Sequence, residues 1–327
     1  MISLAQQRFI APLEALNVIL SKGRYHKDKA MSFYNNKARD VLFRLEALCR
    51  IYRTIGDKKF FDKWYKEFKQ LEDLLGDMDH HEALWNEFSN YKELKTVAQT
   101  NHLDKLAVFS TGLTETLQSQ GWLNGLKMKS FDEGLNAQDW LTEEEDRIAY
   151  GNAICEEFDK VVDKYRNGEL NMDHLEEGLH EFRRRLRWIS IYAQVSNGLV
   201  QLKQVPTVPG SLAKYCTGEI VKSPFNVLPK PAKGQKTLNI QSHYFYALSW
   251  LIRHLSELKD TGLRNEAFQL LCKEARVKDK KVMQRFAETC VFDPADISTF
   301  AENVIDDFIY TDIIPERICR DIMRSVQ

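Results

Sequence analysis

From residue 12 to about residue 198 the apolar residues recur at helical spacing with little interruption, and this periodicity constrains the fold more than any other feature. Ala38, Val41, Leu42, Leu45, Leu48, Cys49 and Tyr52 share one helix face, and Leu71, Leu74 and Leu75 continue such a face in the next segment. Further amphipathic stretches cover 86 to 120 and 142 to 167. In TEEED, Thr142 is placed to cap a helix with Glu145 at the capping-box position, and Gly168 in RNGELN is placed to end it. Only 15 Gly and 8 Pro occur in 327 residues, as long regular helices require. The spacing predicts an all-α protein.

One segment breaks the pattern. Pro206, Pro209, Pro224, Pro229 and Pro231 fall within a stretch that holds Lys203, Lys214, Lys222, Lys230, Lys233 and Lys236 against the single acid Glu219. An extended basic loop is therefore expected over 203–237. On either side of it the order of elements repeats. LEDLLGDMDHHEALWNEF from Leu71 aligns without a gap on LSELKDTGLRNEAFQLLC from Leu255, matching Leu71 with Leu255, Leu74 with Leu258, Glu82 with Glu266 and Ala83 with Ala267. Each follows an arginine-bearing helix, over about 34 to 55 and 173 to 196. The expected organisation is two helical bundles, 1–168 and 169–327.

Lys and Arg (46) almost balance Asp and Glu (47), for a net charge of -1, so a strongly basic nucleic-acid binder is not expected and any polyanion site must be local. Six scattered cysteines form no Cys-x-x-Cys pair, which reads as reduced thiols in a cytoplasmic protein. The N-terminal MISLAQQRFIAPLEALNVIL mixes Gln, Arg and Glu among its apolar residues, unlike a signal peptide, and no apolar run is long enough to span a membrane. The chain is expected in the cytoplasm with no membrane contact. DMDHHE at 77–82 and the single Glu177-x-x-His180 carry metal-binding residue types, but at spacings that serve no single ion. Neither a glycine-rich phosphate loop nor a nucleophile elbow is present. No metal, cofactor or catalytic residue is expected, and the chain reads as a non-enzyme.

HEFRRRLRWISIY, residues 180–192, concentrates positive charge. Leu175, Leu179, Phe182, Leu186, Ile189 and Ala193 form the buried seam of its helix, while His180, Arg183, Arg184 and Arg187 at i, i+3, i+4 and i+7 form a cationic stripe beside it. Pairing with Glu176, Glu177 and Glu181 would make the stripe an ordinary solvated face. The sharper reading is a phosphate-rich ligand, because the planar guanidinium fork matches phosphate in a bidentate way.

RRRLRW, Arg183–Trp188, resembles the arginine-helix signature of the conserved histidine α-helical domain (CHAD) family, a basic run that follows a histidine. NNKARDVLFRLEALCRIYRTIG from Asn35 is similar to the corresponding helix of that family's first half, with Arg39, Arg44 and Leu45 in matching places, and LLGDMDHHEAL from Leu74 is similar to the segment after it. Departures are Asn36 at the family histidine, Phe43 and Glu46 at basic positions, and Glu177 where the second histidine should stand, leaving His180 one turn late. The resemblance implies two four-helix bundles related by a pseudo-twofold axis and non-enzymatic binding of inorganic polyphosphate. Lys37, Arg39 and Arg44 from one helix would line a groove with His180, Arg183, Arg184 and Arg187 from the other. Two alternatives stand beside it: a helical scaffold for a protein partner, and processing of a diphosphate ester with metal held by Asp306 and Asp307.

Overall fold

Helices begin where a polar cap meets an amphipathic run. In the computed structural model, which describes residues 2–327, 75% of the chain is helical and 2% is strand, so the protein is all-α. Contacts separate the chain into two compact units. One holds the residues up to Trp140 with Arg264–Thr289; the other holds Leu141–Leu263 with Cys290–Gln327. The boundaries of these units are therefore 140/141, 263/264 and 289/290, whereas the repeat in the sequence suggested a border at 168.

The first unit contains α1 (Leu4–Tyr25), α2 (Lys29–Asn35), α3 (Ala38–Ile55), α4 (Lys58–Phe88), α5 (Lys95–Ser119) and α6 (Leu126–Asn136). Ser3, Asp28 and Asp57 cap α1, α2 and α4 by accepting hydrogen bonds from first-turn N–H groups. The helix expected from 34 to 55 is interrupted at Lys37, whose φ of 55° turns the chain between α2 and α3. The amphipathic stretch expected over 86–120 is likewise divided. Buried Tyr91 and Leu94 anchor the turn between α4 and α5, and Tyr91 N–H donates to the Phe88 carbonyl at 3.1 Å.

An aromatic cluster fills this unit. Phe9, Phe61, Trp64, Phe68, Trp122 and Phe131 are each no more than 1% exposed, and the Trp64 and Phe131 rings lie 4.7 Å apart. Each such side chain contributes roughly 1.5–3 kcal/mol through burial alone. The cluster continues into the α3/α4 seam through Leu42, Leu45, Cys49, Leu71 and Leu75, and so fixes the helix that carries Arg39 and Arg44.

The second unit opens with α7 (Glu143–Arg166), where Thr142 and Glu145 form the expected capping box. Gly168, with φ +69°, ends that helix, and Glu169 N–H reaches back to the Lys164 carbonyl at 2.9 Å. A π-helical turn, Leu175–His180, then leads into α8 (Glu181–Val195). A Cβ at Gly178 would sit 1.7 Å from the Asn171 carbonyl oxygen, so this turn admits only glycine there. The Tyr150 hydroxyl donates to the Tyr192 carbonyl at 2.8 Å and ties α7 to α8.

β1 (Val200–Lys203) pairs in parallel with β2 (Leu238–Gln241), Val200 opposite Leu238. The proline-rich segment between them contains two 3₁₀ turns, Gly210–Tyr215 and Pro224–Asn226, and the single turn α9 (Gly218–Val221). The expected loop is thus irregular but not featureless. α10 (Ser242–Glu274) follows β2 directly, and the boundary between units falls within it. α11 (Lys280–Ala287) belongs to the first unit; α12 (Ile297–Asp306), a second π-helical turn at Asp307–Thr311, and α13 (Ile314–Val326) complete the second.

α13 packs on α7 and β2. Its Asp321 carboxylate accepts from Gln241 N–H at 2.9 Å and its Ser325 hydroxyl from Asn239 N–H at 3.0 Å, so side chains satisfy one edge of β2. No helix among the described residues is long and apolar enough to cross a membrane.

Candidate functional site

The seven cations expected to bind anions fall in two places. Arg39 and Arg44 belong to α3 in the first unit, with Lys37 at its N-cap; Arg183, Arg184 and Arg187 belong to α8 in the second, with His180 ending the π turn before it.

On α3 the three residues have separate fates. Lys37 and Arg44 are exposed, Lys37 at the helix N-cap. Arg39 is half-buried and committed within its own unit. Its Nε donates to Glu72 Oε1 at 2.8 Å and its Nη1 to Asp79 Oδ2 at 2.6 Å, both acceptors projecting from α4. Burial works against the guanidinium charge, but Glu72 and Asp79 outweigh it and hold the group above its ordinary value. Behind this pair lies Glu46, 2% exposed, whose Oε2 has no hydrogen-bond partner. Burial, then the neighbouring Glu72, pushes its carboxyl up to about 8, so it is protonated at neutral pH.

α8 differs. His180 sits at the end of the π turn, with Nδ1 2.7 Å from Glu176 Oε2; burial lowers its pKa despite that carboxylate, with Lys259 and Arg183 adding to the effect. At neutral pH the ring is neutral and donates its one N–H, on Nδ1, to Glu176, which leaves Nε2 as an acceptor. Glu181 takes two arginines at once, Arg184 Nε at 2.8 Å and Arg185 Nε at 2.7 Å. Local carboxylates therefore absorb part of the stripe, as the solvated-face reading expected.

Arg183 is the exception. No carboxylate among the described residues lies within ion-pair distance of it; its Nε donates to the Ser256 hydroxyl on α10, which in turn donates to the Ile252 carbonyl at 2.7 Å. Burial, then the adjacent Arg187, pushes the guanidinium down to about 10, with Asp260 opposing. Ser256 was not legible as a partner in the sequence, because it stands 73 residues from Arg183 and on the far side of the irregular segment. Glu181 was legible, one turn before Arg184 and Arg185 on the same helix.

The other acidic residues are engaged structurally. Asp306 accepts from the Tyr165 hydroxyl at 2.9 Å, and Lys214 lies 2.6 Å from Asp307 and 3.2 Å from Asp312. No group of three or more His, Cys, Asp or Glu side chains among the described residues is arranged to hold a metal ion. Comparison of the chain with family models, with curated proteins and with solved structures finds no match.

Proposed function

We propose that the protein is a non-enzymatic binder of a phosphate-rich polyanion, inorganic polyphosphate first, through the α8 face of its second unit. One observation carries the reading: Arg183 is a partly buried guanidinium bonded to a hydroxyl and set beside another arginine, with Asp260 the one acid near enough to act on it and outside ion-pair distance. A cation in that setting is under-compensated, and a phosphate oxygen is the ligand that relieves it. Arg187 lies beside it, Ser256 holds its Nε side, and His180, one turn earlier, joins the cationic face when protonated, since its neutral ring gives its one N–H to Glu176. On α3, Lys37 and Arg44 are exposed and available to anions, whereas Arg39 supports the helix pair. The resemblance to the conserved histidine α-helical domain family belongs to the same proposal, as does a pseudo-twofold repeat of two bundles. In its favour, Leu71 and Leu255 are both buried and stand on long helices, α4 with 31 residues and α10 with 33.

Calorimetric titration with polyphosphate over a salt series tests the reading. Saturable binding at low salt should weaken steadily as salt screens the exposed charges, and Arg183→Gln should lower affinity by about tenfold, the value of one charge-assisted contact. Absence of binding at low salt would end the proposal.

A second reading is a helical scaffold for a protein partner. It draws on α5, which leaves Leu103 and Val108 more than half exposed. Co-purification of a stoichiometric partner, insensitive to added polyphosphate, would favour it.

A further inference from the structure

The irregular segment between β1 and β2 carries a surface that the polyanion reading does not use. Its backbone is fastened at close intervals. Asn226 is buried; its Nδ2 donates to the Ile220 carbonyl at 2.8 Å and its Oδ1 accepts from the Ser249 hydroxyl of α10. Gln194 of α8 donates to the Phe225 carbonyl at 3.1 Å, and Gln201 of β1 to the Pro229 carbonyl at 2.8 Å. Gly198 approaches so closely that a Cβ there would sit 2.5 Å from the Lys230 carbonyl oxygen. Between these anchors large apolar side chains stand in solvent: Val221 is 41% exposed, Phe225 64% and Val227 72%.

We propose that this segment docks on an anionic lipid bilayer, with Phe225 and Val227 entering the interface and Lys222, Lys230 and Lys233 on the headgroups. A single exposed apolar side chain is ordinary on a protein surface. Three within one short stretch, on a backbone already ordered by folding, form a contact surface that loses little further entropy on binding. Charge selects the occupant. No Asp or Glu occurs from Ile220 to Gln241. Lys222, Lys230 and Lys233 are exposed and meet no carboxylate among the described residues. Lys236, by contrast, lies 3.2 Å from Glu144, and the nearest acid in the chain, Glu219, is held by Arg253 at 2.6 Å. A free polyphosphate would satisfy the lysines and leave Phe225 and Val227 in water. A bilayer containing phosphatidylserine offers anionic headgroups above an apolar layer and so covers both kinds of side chain.

Two weak attractions act together here. Each lysine near an anionic surface strengthens attachment about fivefold, and the apolar side chains add the transfer of their own surface out of water. Either alone gives marginal attachment, so removing either should release the protein. No spanning helix is required, and the lack of a long apolar run, on which the sequence expectation of no membrane contact rests, does not bear on a surface contact. Nor does the inference depend on the α8 face.

The experiment uses the full chain and sedimentable vesicles, either phosphatidylcholine alone or phosphatidylcholine with about a third phosphatidylserine, at low salt. Affinity for the anionic vesicles should exceed that for the neutral ones by about a hundredfold, as three lysines at about fivefold each give. Lys222→Gln, Lys230→Gln and Lys233→Gln together should abolish that preference. Phe225→Ser with Val227→Ser should weaken binding to the anionic vesicles about tenfold, and Phe225→Leu with Val227→Leu should retain it. These side chains are exposed, so melting temperatures should stay with the parent; should the serine pair melt lower, Val227→Ser alone gives the same comparison in smaller measure. Absence of sedimentation with anionic vesicles would overturn the proposal and leave the surface to a protein partner. Binding that survives both serine substitutions, or that is lost in Arg183→Gln instead, would overturn it as well, by assigning the bilayer to charge alone or to the α8 face.

Discussion

α3 and α8 each carry arginines alongside a buried apolar seam, yet their charges are handled in opposite ways. Arg39 of α3 meets two carboxylates from α4 within its own unit, at 2.8 and 2.6 Å. Arg183 of α8 meets a serine hydroxyl and another arginine. The same residue type in the same kind of helix is thus a structural clamp in one place and an under-compensated cation in the other. What separates the two is the facing helix: α4 brings Glu72 and Asp79 into direct contact, whereas α10 brings the Ser256 hydroxyl and keeps Asp260 outside ion-pair distance. A cationic stripe acquires a role only once its neighbours across the seam are known.

The largest effect that would sharpen the contrast is on the backbone that launches α8. Gly178→Ala places a methyl group against the Asn171 carbonyl, where neither main chain can yield cheaply. A loss of more than about 3 kcal/mol is expected in urea unfolding; a loss below about 1 kcal/mol would mean that the π turn is dispensable. Next in size is Arg39→Gln. It leaves Glu72, whose side chain is 9% exposed, without its cation, and should cost about 3 kcal/mol of stability while leaving affinity for polyphosphate per folded molecule unchanged. A fall in affinity with intact stability would place Arg39 in the binding face instead.

Glu46 supplies a pH-dependent test of the α3 side. Its folded-state pKa of about 8 lies above the ordinary glutamate value near ~4.3, so between those limits the folded chain holds a proton that the unfolded chain has lost. Stability contributed by the neutral form is complete below the lower value, declines as pH rises through about 8, and is flat beyond. Glu46→Gln should remove that slope and raise stability at pH 8 by about 2 kcal/mol or more. Chemical denaturation from pH 5 to 9 measures it, and a slope that survives the substitution would assign the proton elsewhere.

Smallest in stability, and most telling for α8, is Arg183→Gln set against Arg184→Gln. Neither removes a buried ion pair, so both should unfold within about 0.5 kcal/mol of the parent. Only Arg183→Gln should cost the tenfold in polyphosphate affinity, since Glu181 already engages Arg184. Equal losses from both would indicate a diffuse electrostatic face with no local cradle.

Much of the architecture was legible because it depends on short-range order. Thr142 with Glu145 and the stop at Gly168 are local signals, and the apolar periodicity over α3 and α4 needs only a few turns of helix to declare itself. The breaks at Lys37 and at 89–94 were hidden, since neither contains Gly or Pro and both are fixed by tertiary contacts such as buried Leu94. The π turns were hidden too, because one extra residue per turn leaves no compositional trace beyond Gly178. Of the candidate site, the stripe itself was visible and its compensation only partly so: Glu181 lies on the same helix, whereas Glu72 and Ser256 come from elsewhere in the chain.

The parallel pairing of β1 with β2 has a kinetic consequence. Antiparallel neighbours can zip from a tight turn, but a parallel pair cannot form until the intervening chain has crossed back, and here that chain is the irregular proline-rich segment. Its ends must be brought together against loop-closure entropy before any ladder hydrogen bond is gained. The sheet therefore joins late in folding, after local helices such as α7 and α8 have formed. Refolding followed by pulsed hydrogen exchange should find the Leu238–Gln241 amides protected after those of α7 and α8.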